Sequence, residues 1–338
     1  MSNAIAFENF YLGLEATRGT AVAATHRIVT PGLLTPDRDL YVPEDVNGLL
    51  VGRNRSEEIR NETAWTTDGP ADVGMLPIWL NMAVVAQTTP TTPTNAVLSR
   101  LWTFLPSLSA DNIKAATLYW DAGGNQTFRS PFCGVDTLTF TADTSSSDAS
   151  EISISGMGNS LEKVSDVTPI AAISGAMLQP RRMQIWLDSS SDAIGTTEVT
   201  GAKLVYAEHV INTGVTYKPN ATGPTNTLGH SRLGRDRTER SMMTTITVEF
   251  DDTTLYDLWK TFTHVKLRVR HHGRLIETES ATDFYNYVEF DTYGPLTDLS
   301  WDEHMGSNRT ATFVIHSHYD PTDARDFAVR VQNTRTAL

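Results

Sequence analysis

The sequence predicts a mainly β fold, built as two tandem β-sandwich or β-barrel domains that each carry one flanking α-helix. Three observations lead to this prediction. Several stretches alternate apolar and polar residues with the period of a half-buried strand. Helical patterns are confined to two short segments, and the order of strands and helices repeats about halfway along the 338 residues.

The strand signal is strongest where Val, Ile, Leu and Phe alternate with polar residues. Five stretches show it: 137–141, 151–155, 244–250, 265–270 and 310–318. Segments rich in Gly, Asn, Asp and Ser separate them, at 121–125, 145–148 and 306–308. This pattern indicates strands joined by turns, with a hairpin that closes each half.

Two segments, 71–85 and 253–262, have a helical pattern. Each follows an Asp-containing stretch of the kind that caps helix N-termini. Trp79 and Trp259 lie at equivalent points of the two segments, about 180 residues apart by direct subtraction. The two helices are therefore predicted to be copies of one element.

Downstream of the first helix the shift between the halves becomes about 161 residues. It pairs apolar positions: Phe132 with Tyr293, Leu138 with Leu299, Phe140 with Trp301, Ile152 with Phe313 and Ile154 with Ile315. The Thr- and Pro-rich segment 87–95 is low in complexity, and as an insertion it accounts for the change of shift. We predict domains 1–170 and 171–338, with the boundary within 167–175.

Composition makes some classes of function unfavourable. The formal net charge of −13 disfavours a conventional duplex-binding surface, which must neutralise phosphates, and suits a wall that DNA passes without binding. No apolar run approaches the roughly 20 residues that cross a bilayer, and the first ten residues lack a secretory signal pattern. We expect synthesis in the cytoplasm and no membrane insertion. The single cysteine, Cys133, is predicted to be a buried small hydrophobe.

Residues that could carry chemistry are few. The candidate metal ligands are four strand histidines: His271, His272, His316 and His318. Without a third placed ligand, surface or packing roles are more common for such histidines. Asp251-Asp252 and Asp302-Glu303 are candidate carboxylate pairs for glycoside hydrolysis, although helix capping explains the first pair better. We find no nucleotide-binding or nucleophile motif, and we predict a protein that is not an enzyme and holds no metal or cofactor.

The N-terminal region resembles the start of the tail tube proteins of tailed phages with long tails. The resemblance lies in the stretch Phe10-Tyr-Leu-Gly-Leu-Glu15-Ala-Thr17-Arg-Gly19-Thr20-Ala21, followed by the extended segment Ile28-Val-Thr-Pro31. That fold is shared in outline with the tube of type VI secretion systems, and the resemblance implies that both domains are tail-tube-like. It further implies a structural virion protein whose stacked rings form the tail tube, the conduit for DNA ejection into the host.

The resemblance also implies partners and stoichiometry. The chain would associate with itself, with tape-measure, tail-tip and tail-terminator proteins as further partners, and DNA would pass transiently without specific binding. If each half is a tube unit, three chains make a pseudo-hexameric ring. If the second half is instead a decorating domain, six chains per ring are expected.

Two sets of residues are candidates for this assembly. Loops 43–60 and 219–240 are long, polar and Arg-bearing, and we expect them to contact carboxylates of the adjacent ring, with solvated loops as the alternative. The ring–ring candidates are Arg53, Arg55, Arg60, Arg232, Arg235, Arg237 and Arg240. The lumen-facing candidates, from the closing hairpins, are Asp136, Thr139, Asp143, Ser153, Asp298, Ser300, Asp302 and Thr312.

Two other classes of function remain open at this point. Another virion ring component, such as a tail-terminator, tail-tip or capsid-decorating protein, would share the β composition. A carbohydrate-binding or hydrolytic β-protein would present an aromatic groove with carboxylates at catalytic spacing. The tryptophans are Trp65, Trp79, Trp102, Trp120, Trp186, Trp259 and Trp301. Their spread along the chain favours core or interface positions.

Overall fold

The fold was taken from a computed structural model and is mainly β, as the sequence predicts. The structure describes residues 8–42, 56–108, 112–123, 126–173, 175–199, 203–219, 230–235, 240–250, 253–304 and 308–338. The strands of the first half are β1 (Asn9–Leu14), β2 (His26–Ile28), β3 (Gly32–Tyr41), β4 (Glu57–Pro70), β5 (Arg100–Phe104), β6 (Ala116–Asp121), β7 (Thr127–Asp143), β8 (Glu151–Gly158) and β9 (Glu162–Val164). Those of the second half are β10 (Met183–Ser189), β11 (Leu204–Asn212), β12 (Val215–Pro219), β13 (His230–Arg235), β14 (Ser241–Glu249), β15 (His264–Glu279), β16 (Thr282–His304), β17 (Asn308–His316) and β18 (Phe327–Asn333). The helices are α1 (Leu76–Ala83) and α2 (Thr254–Lys260).

All five stretches with strand periodicity lie in or largely within strands, namely β7, β8, β14, β15 and β17. The pattern holds because side chains alternate between a core and a solvated face. In β7, for example, Leu138, Phe140 and Ala142 are buried, while the intervening residues are half-exposed. These strand predictions are confirmed.

Both helices are shorter than their sequence patterns. Before α1, the Asp72 carboxylate accepts the backbone N–H of Gly74 at 2.7 Å and of Gly175 at 3.0 Å, which holds a turn where the sequence predicts helix. After α2, Phe262 takes a positive φ of 52°, which ends the helix. Burial also differs, since all eight residues of α1 are buried and none of α2 is.

Eight strands form one antiparallel sheet, here called the long sheet. Its order is β3-β4-β8-β7-β11-β14-β17-β16. Only the C-terminal parts of the long strands β7 and β16 belong to it. Their N-terminal parts leave the long sheet: that of β7 pairs with β6 and β9, and that of β16 with β15 and β18.

The strand order of the first half recurs in the second. The first half runs β3-β4-β8-β7-β6-β1, and the second runs β11-β14-β17-β16-β15-β10. Each half also has a β-bulge at the same place. One extra residue, Asp136, lies opposite β8, and one extra residue, Thr297, lies opposite β17. The two bulges are separated by the same shift that the downstream sequence repeat shows.

The core lies between the long sheet and the strands and helix that cover one of its faces. Its largest buried cluster joins residues of both halves, including Trp65, Trp79 and Phe140 from the first and Phe290 and Val329 from the second. Trp65 and Trp79 stack with ring centroids 5.9 Å apart. Strand β18, near the C-terminus, pairs with β5 of the first half. The halves therefore share a core, and the predicted division into domains 1–170 and 171–338 stays a prediction.

Candidate functional site: the open edges and polar face of the long sheet

The long sheet ends in two open edges. On one side β3 pairs with β4, and within the described residues its other edge has no backbone partner. On the other side, residues 296–304 of β16 pair with β17, and within the same described part of the chain their outer edge is also without a backbone partner. Because the strands alternate in direction and are eight in number, the two end strands run in opposite directions. Two such edges can pair antiparallel.

A junction of the same kind exists inside the chain, where the two halves meet. Strand β11 pairs with the C-terminal part of β7 over seven residues, from Tyr206 opposite Asp143 to Asn212 opposite Thr137. At the bulge, the backbone N–H of Thr213 donates to the Asp136 carbonyl at 3.0 Å, and the Thr213 Oγ1 hydroxyl donates to the Val135 carbonyl at 2.7 Å. By strand order, β11 corresponds to β3 and β7 corresponds to β16. The two open edges are thus equivalent to the two strands, β11 and β7, that already pair with each other inside the chain.

The face of the long sheet that points away from the core is polar and acidic. Ser, Thr and carboxylate side chains line up across it, as where Asp68 lies opposite Ser153 and Ser153 opposite Thr139. The Oγ1 atoms of Thr247 and Thr312 are 2.8 Å apart. The acidic residues on this face include Asp68, Asp143, Glu151, Glu208 and Asp298. No lysine or arginine occurs in segments 63–70, 137–143, 151–157, 206–212, 241–249, 296–302 and 310–316, which form its central part. We call this the polar face.

The residues predicted to face a lumen occupy this surface in most cases. Those on the polar face are Thr139, Asp143, Ser153, Asp298, Ser300 and Thr312. Asp136 is the bulge residue, and partial burial raises the pKa of its carboxyl. Asp302 pairs with Thr310 in the backbone register, and its side chain lies outside the described residues. Their role in a lumen stays a prediction.

The arginines predicted to join rings are only partly described. Arg53, Arg55 and Arg237 lie outside the described residues, and Arg232 and Arg235 lie in β13 without described side chains. Arg60 pairs with Asp37 at 3.0 Å and with Asp39 at 2.8 Å. Arg240 pairs with Asp326 at 3.0 Å and donates to the Ser107 carbonyl at 2.5 Å. Arg60 and Arg240 therefore have partners within the chain, and contacts between rings stay a prediction.

Two of the strand histidines have well-defined roles in packing. His271 is buried against His209, with their Nε2 atoms 3.0 Å apart. Burial lowers the pKa of His271 to about 3 and lowers that of His209 below its ordinary value. His272 contacts the Gln184 Oε1 at 2.5 Å. Among the residues that the structure describes, no group of three His, Cys, Asp or Glu side chains is placed to hold a metal ion.

Within the described residues, the carboxylate pairs, the tryptophans and the cysteine that were candidates for chemistry form no catalytic arrangement. Asp251 and Asp252 lie outside the described residues, as do the side chains of Asp302 and Glu303. Trp65 and Trp102 are fully buried, and Cys133 is buried as predicted. Trp301 is 48% exposed and meets Phe250 edge to face at 4.6 Å. Sequence reasoning missed the open edges, because β3 has no clear alternation. The open edges are found by comparing the two halves: β11 pairs with β7, and the strands at the equivalent positions, β3 and β16, lie at the ends of the long sheet.

No family model matches this sequence, and a search of curated proteins finds no significant relative. In the described part of the chain, neither helix has the length and apolar character that crossing a membrane requires.

Proposed function

We propose that this protein is the tube subunit of a phage tail, in which copies join edge to edge into closed rings and the rings stack into a tube. The observation that carries the proposal is the junction between β7 and β11. The strands equivalent to its two sides end the long sheet, with outer edges that lack a backbone partner in the described part of the chain. An exposed strand edge is a site for pairing with another chain, and a closed ring removes it.

The repeat gives the expected register of the joint. Val210 of β11 lies opposite Thr139 of β7. Strand β3 matches β11 through the partners β4 and β14, and β16 matches β7 through the two bulges. By this comparison of the two halves, Thr35 is equivalent to Val210 and Ser300 is equivalent to Thr139. We therefore expect Thr35 of one copy to lie opposite Ser300 of the next.

Ring size follows from the number of strands. In this proposal residues 1–170 and 171–338 are two tube units, each supplying four strands to the long sheet, so that three chains make a pseudo-hexameric ring. A barrel of roughly 24 strands, about 4.8 Å apart and tilted by about 40°, has a backbone diameter on the order of 48 Å. That bore admits duplex DNA with side chains in place.

The polar face suits the lining of such a bore. Strands β1, β2, β5, β6, β10, β15 and β18 and both helices contribute to the clusters on the core side of the long sheet, so closure of the ring with these elements outside leaves the polar face inside. Its carboxylates repel phosphates, and its central strand segments contain no lysine or arginine to hold them. The proposal thus includes passage of DNA without specific binding, a place in the virion tail, and contacts with tape-measure, tail-tip and tail-terminator proteins.

Negative-stain microscopy of the purified chain tests the proposal. We expect tubes of uniform bore built from stacked rings. Isolated rings that never stack would favour a different virion ring component, such as a terminator or tail-tip protein. Dispersed monomers at high protein concentration would contradict assembly altogether.

A further inference from the structure

A small buried cluster adjoins the junction between the two halves. Val215, at the start of β12, packs with Phe132 of β7 and with Ile113 and Ala115, which precede β6. All four side chains are at most 6% exposed. The cluster therefore extends the β7–β11 pairing with an apolar contact beyond the edge itself.

The positions equivalent to this cluster lie at the two open ends of the chain. When β3 is aligned with β11, Leu40 is equivalent to Val215. When β16 is aligned with β7, Tyr293 is equivalent to Phe132. Leu40 and its neighbour Tyr41 are 51% and 56% exposed. Among the described residues of a single chain, no side chain covers Leu40 as Phe132 covers Val215.

Leu40 and Tyr41 lie on a projecting arm. β4 pairs with β8 only from Thr63 onward, so residues 37–41 of β3 and 57–62 of β4 extend past the sheet as two strands. Such a two-stranded segment is marginally stable by itself. Ion pairs join its two strands on both faces, Arg60 with Asp37 and Asp39 on one face and Arg38 with Glu58 on the other.

The opposite end of the chain carries a cluster of rings around Tyr293. We call Phe262, His264, Tyr293 and His318 the aromatic patch. His264 lies edge-on to Tyr293 at 5.4 Å, to His318 at 5.3 Å and to Phe262 at 6.5 Å between ring centroids. The patch is held in place, since the His318 N–H donates to the Tyr293 carbonyl at 2.7 Å. Phe262 is 61% exposed and has a left-handed backbone, an unfavourable combination for an aromatic residue with no role.

We propose that the arm of one copy docks on the aromatic patch of the next copy, with Leu40 packed against Tyr293 and Phe262. The inference rests on the proposed ring and adds to it a second, apolar contact outside the paired edges. The occupant is a second copy of this chain, because Val215 of the second half occupies the equivalent position inside the molecule.

The first test removes the apolar side chain of Leu40 from the arm. Leu40→Ser should raise the protein concentration needed for half-assembly by roughly tenfold, because burial of an apolar side chain is lost. The control is Val97→Ser, which removes an exposed apolar side chain elsewhere. Sedimentation velocity measures assembly, and near-ultraviolet circular dichroism checks the fold.

A second variant keeps the test decisive if the first one unfolds. Phe262→Asn should leave the chain at least as stable, since Asn adopts positive φ readily, yet it should weaken assembly to a similar degree. Suppose that the parent chain forms tubes and that Phe262→Asn, or an arm variant that is folded, assembles at the same protein concentration as the parent. That result would overturn the docking of the arm and leave the ring proposal standing. A parent chain that stays monomeric would overturn both.

Discussion

Asp136 and Thr297 occupy equivalent positions in the two halves of the chain, because each is the extra residue of the β-bulge in its half. Their surroundings differ in one respect. The Asp136 carbonyl accepts the backbone N–H of Thr213 of the following repeat at 3.0 Å. The Thr297 carbonyl accepts only a 3.3 Å bond from the Trp259 Nε1 within the described residues. Thr297 therefore marks the place where a following repeat is expected, and in the proposed ring the next chain supplies it.

The polar face should allow DNA to pass because its central strand segments contain no lysine or arginine. Thr139→Lys/Ser300→Lys introduces two cations per chain onto this face. We expect tubes of this variant to retain duplex DNA at low salt and to release it as the salt concentration rises, since lysines displace counterions from phosphates. Co-sedimentation of DNA with tubes measures the effect.

A matched variant places the same charge elsewhere. Thr278→Lys/Thr282→Lys adds two lysines to the exposed hairpin between β15 and β16, away from the polar face. If DNA enters the bore, filled tubes should be visible for the first variant alone. Equal retention by both variants would contradict the assignment of the polar face to a lumen.

The buried pair of His209 and His271 should make stability depend on pH. Both pKa values are lowered in the folded chain by burial, that of His271 to about 3, while unfolded histidine titrates near its ordinary value of about 6.5. Below that pH the unfolded state binds more protons. The free energy of unfolding should therefore fall as the pH decreases from about 6.5 towards 3.

Urea unfolding of dispersed chains between pH 7.5 and 4 measures this dependence. His209→Gln/His271→Gln should be less stable at pH 7.5, because the packing and the bond between the rings change, but its stability should vary less with pH. His316→Gln, at an exposed histidine, is the control and should keep the parental slope. A double variant with the parental slope would show that other groups dominate acid unfolding.

Two arginines from the loops should differ in what they stabilise. Arg240 and Asp326 pair with side chains only 16% and 13% exposed, so Arg240→Glu leaves like charges in a partly buried place. We expect this variant to lose about 2 to 3 kcal/mol of unfolding free energy. Arg235→Glu tests the predicted contact between rings, and it should leave the free energy of unfolding unchanged and weaken stacking in low salt. If Arg235→Glu tubes form with parental salt sensitivity, the predicted role of that loop is wrong.

The sequence was sufficient to predict the positions of the strands that have one buried and one solvated face. Leu138 and Phe140 are buried where the alternation predicts, and Thr139 lies on the opposite face. Asp136 could not be assigned to a face by counting, since a bulge inserts one residue into the alternation. The helix ends were wrong because the turn held by Asp72 before α1 and the positive φ of Phe262 after α2 are local geometry that periodicity does not report.

The open edges were beyond sequence reasoning for a different reason. Among the described strands, β3 pairs only with β4, so little burial constrains its residues and Pro36 is tolerated within it. The pairing of β18 with β5 joins Val331 to Trp102, which lie far apart in the chain and have no local signal. The repeat in the sequence indicated which elements correspond, and the pairing of β7 with β11 indicated how the corresponding edges meet.

The most direct test of edge-to-edge assembly is a disulfide across the expected joint. The variant is Thr35→Cys/Ser300→Cys. Native Cys133 should stay unreactive, because burial raises the pKa of its thiol to about 12. Thr139→Cys/Val210→Cys is the positive control, since these neighbours lie opposite each other within one chain. Thr35→Cys/Leu299→Cys is the negative control, since Leu299 lies on the core side of the same edge.

Non-reducing electrophoresis after oxidation of assembled protein gives the result. Links between chains should form a ladder that ends at three chains, while the positive control links only within the chain. A ladder that continues to six chains would contradict the ring of three two-unit chains. Rings of the Thr35→Cys/Ser300→Cys variant that are visible by microscopy, yet show no disulfide between chains, would contradict the edge-to-edge joint itself.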